Sequence, residues 1–191
     1  MNTIHTVCVY SASSPQIDPI YMEAAKTLGR LLGEKGIRVV NGAGNTGLMR
    51  AVSDAAMAAG GTATGIIPHF MIKNNWCNPK LTEVVAVENM HERKETMMKL
   101  SDALIALPGG CGTLEELLEA ITWKQLGLFC NPIVILNTNH YYDPLIEMLQ
   151  KALNEQFMRA VHARLWAVAS TPEEAVDLIY TEPVWEAHVH R

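Results

Sequence analysis

The feature that most constrains this chain is an alternation. Seven short apolar runs are separated by longer stretches with helical periodicity. The runs are "TVCVYSA" from Thr6, "RVVNGA" from Arg38, "GTATGIIP" from Gly61, "TEVVAVE" from Thr82, "DALIALPG" from Asp102, "PIVILNT" from Pro132 and "LWAVAS" from Leu165. Several are apolar on successive residues, which is the pattern of strands covered on both faces. Helical patterns fill 19–35, 47–59, 90–101, 112–128, 142–153 and 172–180. Strict β-α alternation predicts a Rossmann-like three-layer α/β fold, a parallel sheet of about seven strands with helices on both faces. At 191 residues the chain suits a single domain, 1–191. The least regular segment, "HFMIKNNWCNPK" from His69, reads as a loop over the site.

In such a sheet, ligands bind beyond the carboxyl ends of the strands. Three of those junctions are rich in small residues: "YSASSP" from Tyr10, "NGAGNTG" from Asn41 and "PGGCGT" from Pro108. Gly42, Gly44 and Gly47 match G-x-G-x-x-G, yet no acidic residue ends the next strand to hold a ribose. This turn is therefore a partial dinucleotide fingerprint or a packing turn. In the third junction Gly109, Gly110 and Gly112 permit close backbone approach. The helix that follows aims free N–H groups and the positive end of its dipole at them, which suits a phosphate. Thr113 can add a hydroxyl. The alternative is a capping box, since Thr113 to Glu116 reads T-x-x-E.

The helix "NMHERKETMMKL" from Asn89 puts Arg93 on a face with Met90, Met97 and Leu100, with Lys94 flanking it. A guanidinium on an inward face wants an anionic partner; alternatively its stem packs and its head reaches water. The seven histidines form no H-x-x-x-H or Cys/His pattern, so no metal site is expected, and His188 and His190 read as a solvated tail. There is no nucleophile elbow and no P-loop. No apolar run is long enough for a membrane span. A net charge of −5 with scattered basic residues argues against nucleic acid as the main partner. No signal peptide is evident, and four cysteines without CxxC spacing read as reduced thiols of a cytoplasmic protein.

Two of these motifs carry a resemblance. "PGGCGTLEE" from Pro108 resembles the PGGxGTxxE motif, and "MHERK" from Met90 the M-x-x-R-K motif, of the LONELY GUY (LOG) family. These are cytokinin riboside 5′-monophosphate phosphoribohydrolases that often carry the label "possible lysine decarboxylase". The likeness runs from "VCVYSASS" through "GLMRAVSDAAMAAGG" to "ITWKQLGL". It implies cleavage of the N-glycosidic bond of a nucleoside 5′-monophosphate, with no metal or organic cofactor, by a homodimer with active sites near the interface. It implies that Gly109, Gly110, Gly112 and Thr113 grip the 5′-phosphate, while Glu116 acts at the sugar with Arg93 beside it. Lys94 would add charge and Glu115 support, with Ser13, Gly44 and Thr122 as further substrate-binding positions.

The chain departs from the family's common pattern at three places. Ser11-Ala12-Ser13-Ser14 stands for C-G-S-S, Asn41-Gly42-Ala43-Gly44 for Y-G-G-G, and Cys111 where an aromatic is common. These leave open whether the base is an N6-modified adenine, plain adenine or another. A lysine decarboxylase needs a Schiff-base lysine with a pyridinium partner, and neither Lys94 nor Lys99 has such surroundings. A rival of another class is a non-catalytic nucleotide or cofactor carrier on the same fold, as in the molybdenum cofactor carriers. Trp123 and Leu126 lie off the main apolar line of Leu114, Leu117, Leu118 and Ile121, and this second stripe points either to a partner surface or to a covering helix of the same chain.

Overall fold

The structure, a computed structural model, describes residues 2–186; the tail histidines His188 and His190 lie outside the described residues. All seven expected strands form: β1 (Thr6–Tyr10), β2 (Arg38–Asn41), β3 (Ala63–Pro68), β4 (Glu83–Val87), β5 (Ala103–Ala106), β6 (Ile133–Leu136) and β7 (Ala167–Ala169). They build one sheet in the order β4-β3-β2-β1-β5-β6-β7, with every pairing parallel. The helices are α1 (Pro19–Glu34), α2 (Gly47–Ala58), α3 (His69–Lys73), α4 (Met90–Lys99), α5 (Cys111–Leu126), α6 (Asp143–Asn154) and α7 (Pro172–Thr181).

The alternation of side chains along each strand divides the core into two layers. Val7 and Val9 of β1 face a layer shared with Leu28 and Leu32 of α1, Val52 of α2 and Ile179 of α7. Cys8 and Tyr10 face the other layer, with Met97 and Met98 of α4, Leu117 and Ile121 of α5 and Leu149 of α6. Parallel strands buried on both faces explain why the sequence runs were continuously apolar.

The chain winds outward from β1 to β4, then returns to start β5 on the other side of β1. This is the switch in strand order at which such sheets open a crevice beyond their carboxyl ends. The loops after β1, β2 and β5 border that crevice. The irregular segment after β3 begins with the short helix α3 and then pairs back, through an antiparallel bridge from Cys77 to Gly44, onto the loop after β2.

Two sequence expectations about helix faces fail. Met90 and Leu100 of α4 are exposed, and the buried face holds Arg93, Lys94, Met97 and Met98. Lys94 is buried because it is paired: its ammonium hydrogen-bonds Glu115 and lies 2.9 Å from Glu119, both on α5. On α5, Leu118 is exposed, whereas Trp123 packs against the second core layer.

Candidate active site

A cleft of about 570 Å³ opens at the carboxyl edge of the sheet. Ser11 to Ser14 after β1 form its middle; Gly44, Asn45 and Thr46 lead into α2 on one side; Gly110, Gly112 and Thr113 begin α5 on the other. A shallower groove of about 990 Å³ runs between α1 and α2. Its charged side chains are engaged in local pairs, Lys26 with Glu23, Arg30 with Glu34 and Arg50 with Asp54, so it offers no convergent set of free groups.

Helix α5 starts one turn earlier than a Thr113 cap requires. Its N-cap is Gly110, Leu114 N–H donates to Gly110 O at 3.0 Å, and no side chain caps the helix. Thr113 is thus inside the first turn and Glu116 in the second. The capping-box alternative is overturned, and neither residue is needed for the cap. The first-turn amides at Cys111, Gly112 and Thr113 are left without intrahelical acceptors, as helix geometry dictates, at the edge of the cleft. By contrast, α4 and α7 are closed by Asn89 and Thr171 side chains. Helix α2 likewise starts at the cleft without a side-chain cap; its N-cap Thr46 donates its hydroxyl to Ser13 O at 2.6 Å. Ser11 Oγ is buried, lines the cleft, and has no hydrogen-bond partner among the described residues. Such a group is stabilised only by what enters the cleft.

Two tyrosines hold the glycine turn from behind. Tyr142 donates its hydroxyl to Leu107 O and Tyr141 donates to Gly109 O, each at 2.7 Å. Both follow β6, and Tyr142 N–H donates to Asn137 Oδ1, which fixes their loop. With these carbonyls drawn away, the turn's amides are free to face the cleft.

Arg93 enters from α4. Its Nε donates to Ile66 O at 3.0 Å and its Nη2 to Gly42 O at 2.8 Å. The head is therefore buried and held, and does not reach for water. Gly42 makes this possible: a Cβ there would lie 1.7 Å from Arg93 Nη2. Asn41, where the family commonly has tyrosine, donates to Met49 O and Ser53 Oγ and accepts from Ala43 N–H, which knits the same turn.

Glu116 Oε1 lies 3.9 Å from Arg93 Nη1, and both side chains are buried at the cleft. Burial pushes the Glu116 carboxyl up from 4.5 to about 7; Arg93 pulls it back down in part, and Glu115 raises it further. Burial also lowers the Arg93 pKa, with Glu116 opposing, and the guanidinium stays charged at neutral pH. Beneath them, burial raises the Cys8 thiol and the Tyr10 hydroxyl above their ordinary values, and the charge of Glu116 adds to both.

Of the residues singled out in the sequence, the structure brings Ser13, Gly44, Arg93, Gly110, Gly112, Thr113 and Glu116 to one cleft. It does not bring four others there. Gly109 sits behind the turn, its Cβ position filled by Thr113. Lys94 and Glu115 pair with one another outside the cleft. Thr122 is exposed and donates to Leu118 O, nearly two turns beyond Glu116. Met49, Met71 and Trp76 line the cleft and carried no individual signal in the sequence. Trp76 lies in the irregular segment, whose aromatic content was the one available hint.

Comparison with known proteins bears on this site. The family model described as "Possible lysine decarboxylase" matches residues 49–179. The rice protein "Probable cytokinin riboside 5'-monophosphate phosphoribohydrolase LOGL2" is 43% identical over 171 residues, 90% of this chain and 70% of its own. The Arabidopsis thaliana cytokinin riboside 5'-monophosphate phosphoribohydrolase LOG7 is 42% identical over 89% of this chain and 78% of its own. The chain belongs to the LOG family. Its fold is shared with the X-ray structure of TM1055, at a TM-score of 0.70 and 27% identity over 92% of this chain and 98% of that one. The molybdenum cofactor carrier protein of Chlamydomonas reinhardtii superposes with a TM-score of 0.67 over 93% of this chain and 96% of its own, at 20% identity, and shares the fold alone. The lysine decarboxylase label of the family finds no counterpart in the LOG cleft. Lys94 is ion-paired outside it, and Lys99 pairs with Glu95 on the exposed side of α4.

Proposed function

We propose that this LOG-family chain hydrolyses the N-glycosidic bond of a nucleoside 5′-monophosphate, giving a free base and ribose 5-phosphate. One observation carries the reading: an uncapped helix start at Gly110 and a buried carboxylate at Glu116 share one helix and one cleft. Five residues of helix rise separate Cys111 from Glu116, roughly 7 Å, which is near the reach from a 5′-phosphate to C1′. The names of the related rice and Arabidopsis proteins support the same chemistry.

In this mechanism the amides of Gly112 and Thr113, with the Thr113 hydroxyl, hold the phosphate. The C1′–N bond breaks, and the base departs with the electron pair and takes up a proton from solvent, matched by the one Glu116 later returns there. Positive charge grows on the sugar ring, and the Glu116 carboxylate stabilises it. A water oxygen forms the new C1′–O bond and gives a proton to Glu116, whose pKa near neutrality suits a base. Arg93, itself held against the Gly42 turn, lowers the cost of ionising the carboxylate. Lys94 and Glu115 act from outside the cleft by tying α4 to α5, and Tyr141 and Tyr142 hold Gly109 and its neighbours in place.

The assembly proposed is a homodimer. Leu118, Leu126 and Leu128 leave an apolar surface on and just after α5, 40%, 55% and 67% exposed. Sedimentation at micromolar concentration should give twice the chain mass, and a monomer mass alone would contradict it. The activity is tested by incubating the protein with a panel of nucleoside monophosphates and measuring free base and ribose 5-phosphate. Release of inorganic phosphate, or no product from any nucleotide, would refute it.

A further inference from the structure

The proposed chemistry needs the cleft to hold a base as well as a sugar phosphate, and the end of the cleft away from α5 has its own composition. There three apolar side chains join Asn45 and Thr46 in the lining: Met49 from α2, Met71 from α3 and Trp76 from the loop after α3. Gly44 N–H contacts Met49 Sδ at 2.9 Å, so that thioether is fixed in place.

Trp76 combines exposure with a rigid mount. The residue is 49% exposed. Its backbone is held on both sides: the N–H donates to Met71 O at 3.1 Å, and the carbonyl accepts from Asn45 N–H at 3.0 Å. Around it, Asn45 Nδ2 donates to Asn75 O at 2.6 Å and Asn78 N–H donates to Ala43 O at 2.8 Å. The segment is thus stitched to the loop after β2 and does not hang free. Phe70 meets the indole at 79° with centroids 6.5 Å apart, which sets the ring plane. A large aromatic surface left half in water on a fixed loop, at the wall of a concave site, is an unfilled stacking platform.

Its position has the right reach. In the sheet order, β1 stands between β2 and β5. Two strand spacings, about 10 Å, therefore separate the glycine turn after β5 from the loop after β2, onto which the Trp76 segment is stitched. A nucleoside monophosphate whose phosphate lies on the α5 turn and whose C1′ lies by Glu116 extends its base toward that loop. Methionine sulfur and indole attract a flat π-system without fixed hydrogen bonds.

Resting on the hydrolase reading, we propose that Trp76 is the specificity-determining residue for the base: it stacks on the ring, with Met49 and Met71 beside it. Selection is then by stacking area. Purine monophosphates are preferred over pyrimidine monophosphates, because the bicyclic ring covers more of the indole.

Intrinsic fluorescence tests this in the first milliseconds after mixing, before turnover. AMP should quench the wild-type protein, whereas ribose 5-phosphate should bind by calorimetry without quenching. In Trp76→Leu the AMP quench should vanish while affinity for ribose 5-phosphate is kept. Its KM for AMP should rise roughly tenfold to hundredfold, the usual effect of losing one base–aromatic stack. The AMP-to-CMP ratio of kcat/KM should shrink toward one, with kcat little changed, and Trp76→Phe should restore part of the ratio. AMP that binds and is cleaved without quenching, or an unchanged ratio in Trp76→Leu, would overturn the role of Trp76 and leave the hydrolase reading standing. If no nucleoside monophosphate of the panel binds or is cleaved, both fall.

Discussion

Arg93 and Glu116 face each other across 3.9 Å in the buried floor of the cleft, close enough to feel each other's charge but too far for a hydrogen bond. The guanidinium spends its hydrogen bonds on the carbonyls of Ile66 and Gly42. Glu116 is therefore held ionisable and not locked into a salt bridge. A carboxylate neutralised by a tight bidentate pair would have little charge left for a developing cation.

Replacing Glu116 separates chemistry from structure. Glu116→Gln keeps the shape and removes the charge. Turnover of AMP should fall by about two to four decades, measured as released adenine. Arg93→Lys, which retains a charge but cannot bridge both carbonyls, should also lose most activity. The double variant should lose less than the sum of the two, because both side chains serve one step.

The raised Glu116 pKa has a stability consequence with a definite sign. The folded-state value of about 7 lies above the ordinary 4.5. The stability linked to this proton is fully present below pH 4.5 and is lost as pH rises through 7. Glu116→Gln has no such proton. Relative to wild type, its unfolding free energy should climb between pH 5 and pH 8, by an amount on the order of 3 kcal/mol at most, seen as a rising melting temperature. A constant difference across that range would contradict the buried, ionising carboxyl. In the wild type, kcat/KM should rise through the same range as the carboxylate forms.

Gly42→Ala should reproduce the loss of Arg93 without touching it. The added methyl would lie 1.7 Å from Nη2, so the guanidinium or the turn must move. Overpacking of this kind costs about 1–3 kcal/mol. Activity should fall far more than the remaining folded fraction explains, as measured by kcat on protein still folded by circular dichroism.

Tyr141→Phe and Tyr142→Phe should differ. Tyr141 is 40% exposed, so losing its bond to Gly109 O should cost less than about 1 kcal/mol of stability. It should nevertheless raise KM for AMP several-fold by loosening the turn. Tyr142 is fully buried, and its loss strands Leu107 O. The cost should be about 1–3 kcal/mol, seen first as a lower melting temperature.

The sheet was legible because both-face burial writes itself as uninterrupted apolar runs, and the junctions because three glycine or serine clusters follow such runs. What hydropathy misread were positions where charge is buried by pairing. Its spacing puts Lys94 at the flank of its helix, yet Lys94 takes an inward position because Glu115 and Glu119 reach it from α5. Met90 opens the ten-residue helix α4 and Leu100 caps it just past its end, and both are exposed there. The T-x-x-E spacing misled because the actual cap is Gly110, which has no side chain to announce it. Trp76 was hidden because irregular chain has no period to read. Tyr141 and Tyr142 were hidden because their partners, Leu107 and Gly109, are more than thirty residues away in sequence.

The most direct test of the central claim compares AMP with adenosine under identical conditions. If the Gly110–Thr113 turn holds the 5′-phosphate while Glu116 acts at C1′, AMP should give adenine and ribose 5-phosphate in equal amounts. Adenosine should react at least about a hundredfold more slowly in kcat/KM, since it forfeits two or more charge-assisted hydrogen bonds. Equal turnover of the two, or adenosine and inorganic phosphate as the products of AMP, would contradict the account.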